Sequence, residues 1–251
     1  MMTLNDWIGC AEETALRFEL CPFPARKLHL LAAAFLRGVW DQLPSPHSRL
    51  AVEATEKFAA GRMSADALAW ARSQAARESD ETMWLADGSF DDYDLIDPCF
   101  CGCSEPRRTR YECRVARQGG ILDGARDGIG DPAWVATAAA FHALRLKSPI
   151  VARDRTTTEW RGEWRSLFTT AREVLGDDSA RPFNPAWRTS DVIALARGIY
   201  DDRAFDRLPI LADALQDAGC DDSAILSHCR AKLESEHVRG CWAVDLAMGI
   251  T

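Results

Sequence analysis

Apolar side chains recur along much of this chain at the spacing of one face of an α-helix. Leu28, Leu31 and Phe35 are three or four residues apart, and the same spacing returns at 160–175 and in several segments after residue 189. A period of this kind gives a helix one apolar face that can pack on a core. Alternation of apolar and polar residues over the length of a strand is hard to find. The pattern predicts an all-α protein, either a multi-helix bundle or stacked helical hairpins with an irregular Cys-rich insert.

Residues that start or stop helices stand at the ends of the periodic segments. Pro46 can occupy the first turn of a second helix, and Ser64 can cap a third. Asp131 and Thr189, or the serine after Thr189, are placed to cap two later helices. Gly219 can take the left-handed conformation that ends a helix. These signals predict the order of the helices as well as their type.

The spacing of apolar residues divides the chain into four parts. Residues 1–78 are predicted to form an N-terminal helical region, 132–180 a helical hairpin and 181–251 a C-terminal helical module. Between them, residues 79–131 are rich in Cys, Gly and Arg and lose the helical period. Irregular connections of this length are unusual unless they are functional, disordered or held by a bound group.

Composition and charge exclude several classes of protein. Of 251 residues, 47% are hydrophobic and 27% charged, which favours a folded globule over a disordered chain. No apolar stretch reaches the roughly 18 residues of a membrane span, and no secretory signal is visible at the N-terminus, so a cytoplasmic location is predicted. A net charge of −8 opposes non-specific nucleic-acid binding. The basic loop at 107–117 keeps nucleic-acid association as an alternative.

Four of the nine cysteines lie in the irregular insert. Cys99, Cys101, Cys103 and Cys113 offer four thiolates, the number that tetrahedral zinc takes. Their spacing is not that of paired C-x-x-C knuckles, and an unliganded loop of thiols is the alternative. Bound metal would fix a segment that is otherwise long and irregular.

A second group of possible metal ligands lies near the C-terminus. It contains Cys220, His228, Cys229, His237 and Cys241, and the alternative zinc site uses the three cysteines with His237. The i, i+4 offset of His237 and Cys241 could place both on one helix face. Packing in the core is the competing interpretation, because a thiol packs well among apolar side chains.

No residue is assigned a catalytic role. Imidazole side chains such as those of His228 and His237 can serve as acid or base, but catalysis needs a convergent partner that the sequence does not identify. Asp245 lies between apolar residues of the last helix and is expected to be a partly buried acid that pairs with Arg239 or Arg230. Signatures of known enzyme classes are missing, so an enzyme is the less favoured interpretation.

Several separated motifs of the C-terminal third also carry a family resemblance. In chain order they are Asn184-Pro185-Ala186-Trp187, Ile199-Tyr200-Asp201-Asp202-Arg203, Leu208 to Leu215, Ala218-Gly219-Cys220, His228-Cys229-Arg230 and His237 to Trp242. Together they resemble an uncharacterised family of helical proteins abundant in planctomycete bacteria. Residues 26–40 and 48–59 look like the first half of the same family. The resemblance omits the Cys-rich middle, and it implies a shared helical fold with no established activity.

This chain departs from the family pattern at one place. In the proteins that it resembles, a short Gly/Pro turn separates the positions of Cys229 and His237. Here residues 231–236 are predicted to extend the helix instead. That extension would hold Cys229 and His237 apart.

Two classes of function follow from these observations. The recognisable patterns of the sequence specify helices and no catalytic site. The first class is therefore a non-enzymatic helical module that binds a protein partner or regulates one. The second is a metal-dependent enzyme or regulator that uses one of the two Cys/His groups, with zinc as the metal. Nucleic-acid association through residues 107–117 is a further alternative.

Overall fold

A computed structural model describes residues 16, 19–43, 46–86, 132–147, 158–176, 183–231 and 237–250. Within these residues the chain forms α-helices, short 3-10 turns and no strand, which confirms the all-α prediction. None of the described helices is both long and apolar enough to cross a membrane. The helices are α1 (Ala25–Arg37), α2 (Pro46–Ala59), α3 (Ala65–Ala86), α4 (Pro132–Lys147), α5 (Thr158–Leu175), α6 (Ser190–Asp202), α7 (Leu208–Asp217), α8 (Ser223–Arg230) and α9 (Trp242–Met248).

Most helix ends lie at the residues that the sequence marks. Helix α2 begins at Pro46, and the Ser64 hydroxyl accepts a hydrogen bond from the Ala67 amide at 3.2 Å at the start of α3. Thr189 caps α6, and Gly219 follows α7 with a φ of 88°. Helix α3 continues to Ala86 and so enters the segment predicted to be irregular, whose residues 87–131 lie outside the described part.

The first hydrophobic core surrounds α1. Every residue of α1 from Lys27 to Leu36 is buried, as expected of a helix that is covered on several sides. Helix α1 packs against α2, α4 and α5. Helix α4 faces this core with small side chains, which let two helix backbones approach closely: Ala133, Ala136, Ala139, Ala140 and Ala143.

The second hydrophobic core belongs to the C-terminal helices. Apolar side chains of α6, α7, α8 and α9 form one buried cluster, separate from the cluster around α1. Its fully buried members include Ile199, Leu211, Leu215 and Ile225. Helix α9 also contacts α5, whose inward face belongs to the first core. The contact of α5 with α9 therefore marks a boundary between the two cores.

Candidate metal centre

The first residue of the site comes from the end of α5. Trp164, Leu167, Ala171 and Val174 place the apolar face of this helix in the first core. Glu173 lies in the last turn and is only 4% exposed. A carboxylate at this depth needs compensating partners, because removing a charge from water is costly.

The second residue comes from the end of α8. Asp222 accepts hydrogen bonds from the Ala224 and Ile225 amides and thereby fixes the start of this helix. His228 lies in its last turn and is partly buried, while Ile225 is completely buried in the second core. Helix α8 ends at Arg230, so the prediction of a helical extension is wrong at its first residue.

Ala231, the first residue after α8, has an extended backbone, with φ −65° and ψ 129°. The helix therefore does not continue through this residue. His237 lies beside His228, and their ring centroids are 5.2 Å apart.

The third and fourth residues flank a tight turn. The Cys241 amide donates a hydrogen bond to the Val238 carbonyl at 3.0 Å, and Cys241 directly precedes α9. Gly240 has a φ of 97°, and a Cβ atom there would lie 3.0 Å from the Cβ atom of Leu30. His237 and Cys241 thus converge through a turn, and not along one helix face as the sequence suggested.

The four side chains meet in one small volume. The His237 Nδ1 atom lies 2.7 Å from a carboxylate oxygen of Glu173, and the His228 Nε2 atom lies 3.5 Å from the other oxygen. The same Nε2 atom is 3.3 Å from the Cys241 Sγ atom. One donor atom from each of the four residues lies within 4.8 Å of each of the others.

The electrostatics of the site favour an anionic carboxylate beside two imidazoles. Burial raises the pKa of Glu173, but the hydrogen bonds and charges of His228 and His237 outweigh it and bring the pKa to about 2. Burial raises the pKa of Cys241 well above its ordinary value, and the Glu173 charge raises it further. Without a cation, the site favours a protonated thiol.

These donors could hold a metal ion. Tetrahedral coordination with bond lengths of about 2.0–2.3 Å puts neighbouring donor atoms about 3.3–3.8 Å apart, so small side-chain movements would complete it. A metal ion would also favour the thiolate over the buried thiol.

A catalytic relay fits the geometry less well. In a relay the histidine uses one ring nitrogen for the nucleophile and the other for the acid. Here the Nε2 atom of His228 faces both Cys241 and Glu173. The thiol is also only 1% exposed, whereas a catalytic nucleophile has to be reached by its substrate.

The structure brings together part of the predicted C-terminal group of ligands. His237 and Cys241 belong to the group of four, and His228 joins them. Cys220 and Cys229 are free, buried thiols in the second core and are not members of the group. Burial raises the pKa of Cys229 to about 12, as expected of a thiol packed in a core.

One predicted set of ligands is not tested by the structure, and one residue of the observed group was not predicted. Cys99, Cys101, Cys103 and Cys113 lie outside the described residues. Glu173 was not predicted as a ligand, because it is one acid among several on an amphipathic helix and no motif marks it.

A second polar cluster lies beside the metal-ligand group. Asp245 is 1% exposed and accepts two hydrogen bonds from Arg26, at 2.7 and 3.0 Å. The Lys27 ammonium lies 2.6 Å from the same carboxylate and also donates to the carbonyls of Val174 and Gly240. Helix α1 therefore holds both the end of α5 and the turn that carries two of the candidate ligands.

The partners expected for Asp245 were wrong. Arg230 pairs with Asp213 on the surface, at 2.7 Å. Arg239 contacts Glu56, at 3.2 Å. Asp245 does lie on the buried face of the last helix, but its partners come from the N-terminal part of the chain.

Comparisons with known proteins add no assignment. No family model, no curated protein and no solved structure that was compared matches this chain. The resemblance to a planctomycete family therefore stays a prediction, and function has to be argued from the site itself.

Proposed function

We propose that this protein is a zinc-binding helical regulator whose ion is held by Glu173, His228, His237 and Cys241. The observation that carries the proposal is the convergence of these four donor atoms from two hydrophobic cores. Zinc would join the end of α5 to α8 and to the turn before α9. Occupancy of the site would then determine how firmly the C-terminal module is held.

The donor set favours zinc over other biological cations. One thiolate, two imidazoles and one carboxylate are typical zinc ligands, whereas calcium and magnesium take oxygen donors. Zinc also accepts four-coordinate geometry without a redox change. Copper binds many such sites more tightly, so selectivity depends on the metal supply of the cell.

The number of ligands favours a structural or regulatory role over catalysis. A catalytic zinc site commonly has three protein ligands and leaves one position for water or substrate. Here four side chains supply four donor atoms, the number that a tetrahedral zinc site needs without water, and Glu173 and Cys241 are almost completely buried. The proposed role of the zinc ion is therefore regulatory and not catalytic.

The protein-interaction role stays a prediction beside this proposal. Among the described residues, the large exposed apolar side chains are Trp70 on α3, Ile210 on α7 and Ile250 after α9. They belong to three different elements. The basic loop at 107–117 lies outside the described residues, so nucleic-acid association stays a prediction too.

Elemental analysis of the purified protein tests the proposal. After dialysis against weak chelator, we expect one zinc ion per chain in the wild type and a large loss of zinc in Cys241→Ser and His237→Ala. Cobalt substitution should give the intense visible bands of a tetrahedral site, with a sulfur-to-metal band that the Cys241→Ser variant lacks. Glu173→Gln should weaken binding by more than tenfold.

Cys229→Ala is the matched control, because Cys229 is a buried thiol of the same module outside the group of four. It should keep full zinc content. Zinc below 0.1 equivalents in folded wild type, or equal loss of zinc in the control, would contradict the proposal.

A further inference from the structure

Three arginines converge on one buried glutamate away from the candidate metal centre. Glu56 lies on α2 and is 4% exposed. Arg37 comes from the last turn of α1, Arg203 directly follows α6, and Arg239 lies in the turn before α9. Three separate regions of the sequence therefore bring positive charge to one carboxylate.

The contacts of Glu56 use both carboxylate oxygens. Arg37 donates from Nε at 3.0 Å and from Nη2 at 3.1 Å, in the two-pronged geometry typical of arginine and carboxylate. Arg239 donates to Glu56 at 3.2 Å, and Arg203 contacts the same oxygen. The cluster of these four residues, which we call the Glu56 cluster, carries a formal excess of two positive charges.

Two acids at the end of α6 are not members of this cluster. The carboxylate of Asp201 pairs with a fourth arginine, Arg62, and Asp202 is exposed on the surface. Arg239 donates to the backbone carbonyls of Tyr200 and Asp201, which are polar but uncharged. Burial, followed by the charges of Arg37 and Arg239, lowers the pKa of Arg203, while Glu56 raises it.

The backbone at Arg203 gives a second, independent observation. Arg203 has a φ of 54° and is the only residue other than glycine with positive φ among the described residues. Glycine is the usual residue at such a helix end, since it takes this conformation without strain. Strained positions of this kind cluster at binding and active sites. Arg203 therefore combines a contact to the buried Glu56 with a backbone conformation that is unusual for a residue other than glycine.

Arg203 is also the most accessible guanidinium of the cluster. Its side chain is 36% exposed, compared with 20% for Arg37 and 22% for Arg239. Within the described part of the chain, its one hydrogen bond to a side chain is the bond to Glu56. Most of its N–H donors are therefore left for solvent or for a ligand.

We propose that the Glu56 cluster binds a phosphate group, with Arg203 as the principal contact and Arg37 and Arg239 as supporting charges. The excess of two positive charges matches a phosphate dianion. Planar guanidinium groups are also suited to phosphate oxygens. This site is separate from the candidate metal centre, and the proposal does not depend on bound zinc.

Titration with inorganic phosphate at constant, low ionic strength tests the proposal. Calorimetry, or the NMR signals of the arginine Nε–H groups, would follow binding to the full-length protein. We expect saturable binding that Arg203→Gly weakens at least tenfold. The glycine variant should fold normally, because glycine is favoured at this φ. Arg203→Gln removes the charge while keeping a side chain, and it should also bind at least tenfold more weakly.

Arg197→Gln is the matched control, because Arg197 is an exposed arginine on α6, the helix that Arg203 directly follows. It should bind phosphate within twofold of the wild type. Absence of saturable binding at millimolar phosphate, equal weakening in the control, or full affinity in Arg203→Gly would each overturn the proposal. Acetate that binds as tightly as phosphate would overturn the assignment of a dianion.

Discussion

Two of the polar clusters that join the C-terminal module to the helices before it, those of Asp245 and Glu173, differ in how their charge is balanced. In one, Asp245 is met by the positive charges of Arg26 and Lys27. In the other, Glu173 is met by two imidazoles and a buried thiol. The first cluster contains its own cations, whereas the second has four metal-ligating donors and no arginine or lysine among them.

The comparison of these two buried carboxylates shows that burial alone does not identify a binding site. The Asp245 cluster satisfies its carboxylate with hydrogen bonds from the protein, so it needs no ligand. The Glu173 group combines soft and borderline donors within 4.8 Å, an arrangement typical of a zinc site. We therefore expect the first cluster to contribute equally to stability with and without zinc, and the second to contribute more when zinc is bound.

The largest effect is expected from breaking the Asp245 cluster. Asp245→Asn leaves Lys27 and Arg26 without their carboxylate, and breaking a buried pair in this way costs about 3–5 kcal/mol of unfolding free energy. The loss should be the same with and without zinc. Chemical denaturation followed by tryptophan fluorescence measures it.

The surface pair of Asp213 and Arg230 supplies the control for this change. Because the Asp213 side chain is 71% exposed, Asp213→Asn should cost no more than about 1 kcal/mol. Equal losses in Asp245→Asn and Asp213→Asn would contradict the contrast between buried and exposed pairs.

The next effect is expected from zinc removal. With free zinc about 1,000-fold above the dissociation constant, binding to the native state alone adds about 4 kcal/mol of unfolding free energy. Trp242 lies against His228, with ring centroids 4.8 Å apart, so its fluorescence should report the change. Glu173→Gln should reduce the difference between zinc-bound and zinc-free protein, and Cys229→Ala should leave it intact. If the unfolding free energy of the wild type were the same with and without zinc, the proposed difference between the two clusters would be contradicted.

A smaller effect, confined to acid pH, is expected at His29 in the first core. Burial, together with the charge of Arg72, lowers the pKa of His29 to about 4 from 6.5, so the unfolded chain binds this proton more readily. Stability should therefore fall as pH falls from 6.5 to 4, by about 3 kcal/mol. His29→Phe should remove this part of the pH dependence. Parallel curves for variant and wild type, measured by denaturation at each pH, would show that His29 is not responsible.

Most of the fold could be predicted because its signals are local. The start of α2 at Pro46, the cap at Ser64 and the helix stop at Gly219 each depend on a few neighbouring residues. The apolar face of α5 is also visible in the sequence as a helical period. The helical end of α3 at Ala86 was missed, because acidic and polar residues there hide the period.

The candidate site could be predicted only in part because its geometry is long-range. His237 and Cys241 were recognised as donors by residue type. The contact of Glu173 with His237 joins residues 64 positions apart, and no local pattern encodes it. Likewise, the partners of Asp245 lie more than 200 positions away, so the choice of neighbouring arginines was wrong.

X-ray absorption at the zinc K-edge of the metal-loaded protein tests the central claim most directly. We expect four ligands in the first shell, with one sulfur at about 2.3 Å and three nitrogen or oxygen atoms at about 2.0 Å. The sulfur contribution should disappear in Cys241→Ser and persist in Cys229→Ala. A shell of oxygen and nitrogen atoms alone in the wild type, or one with several sulfur atoms, would contradict a site built from Glu173, His228, His237 and Cys241.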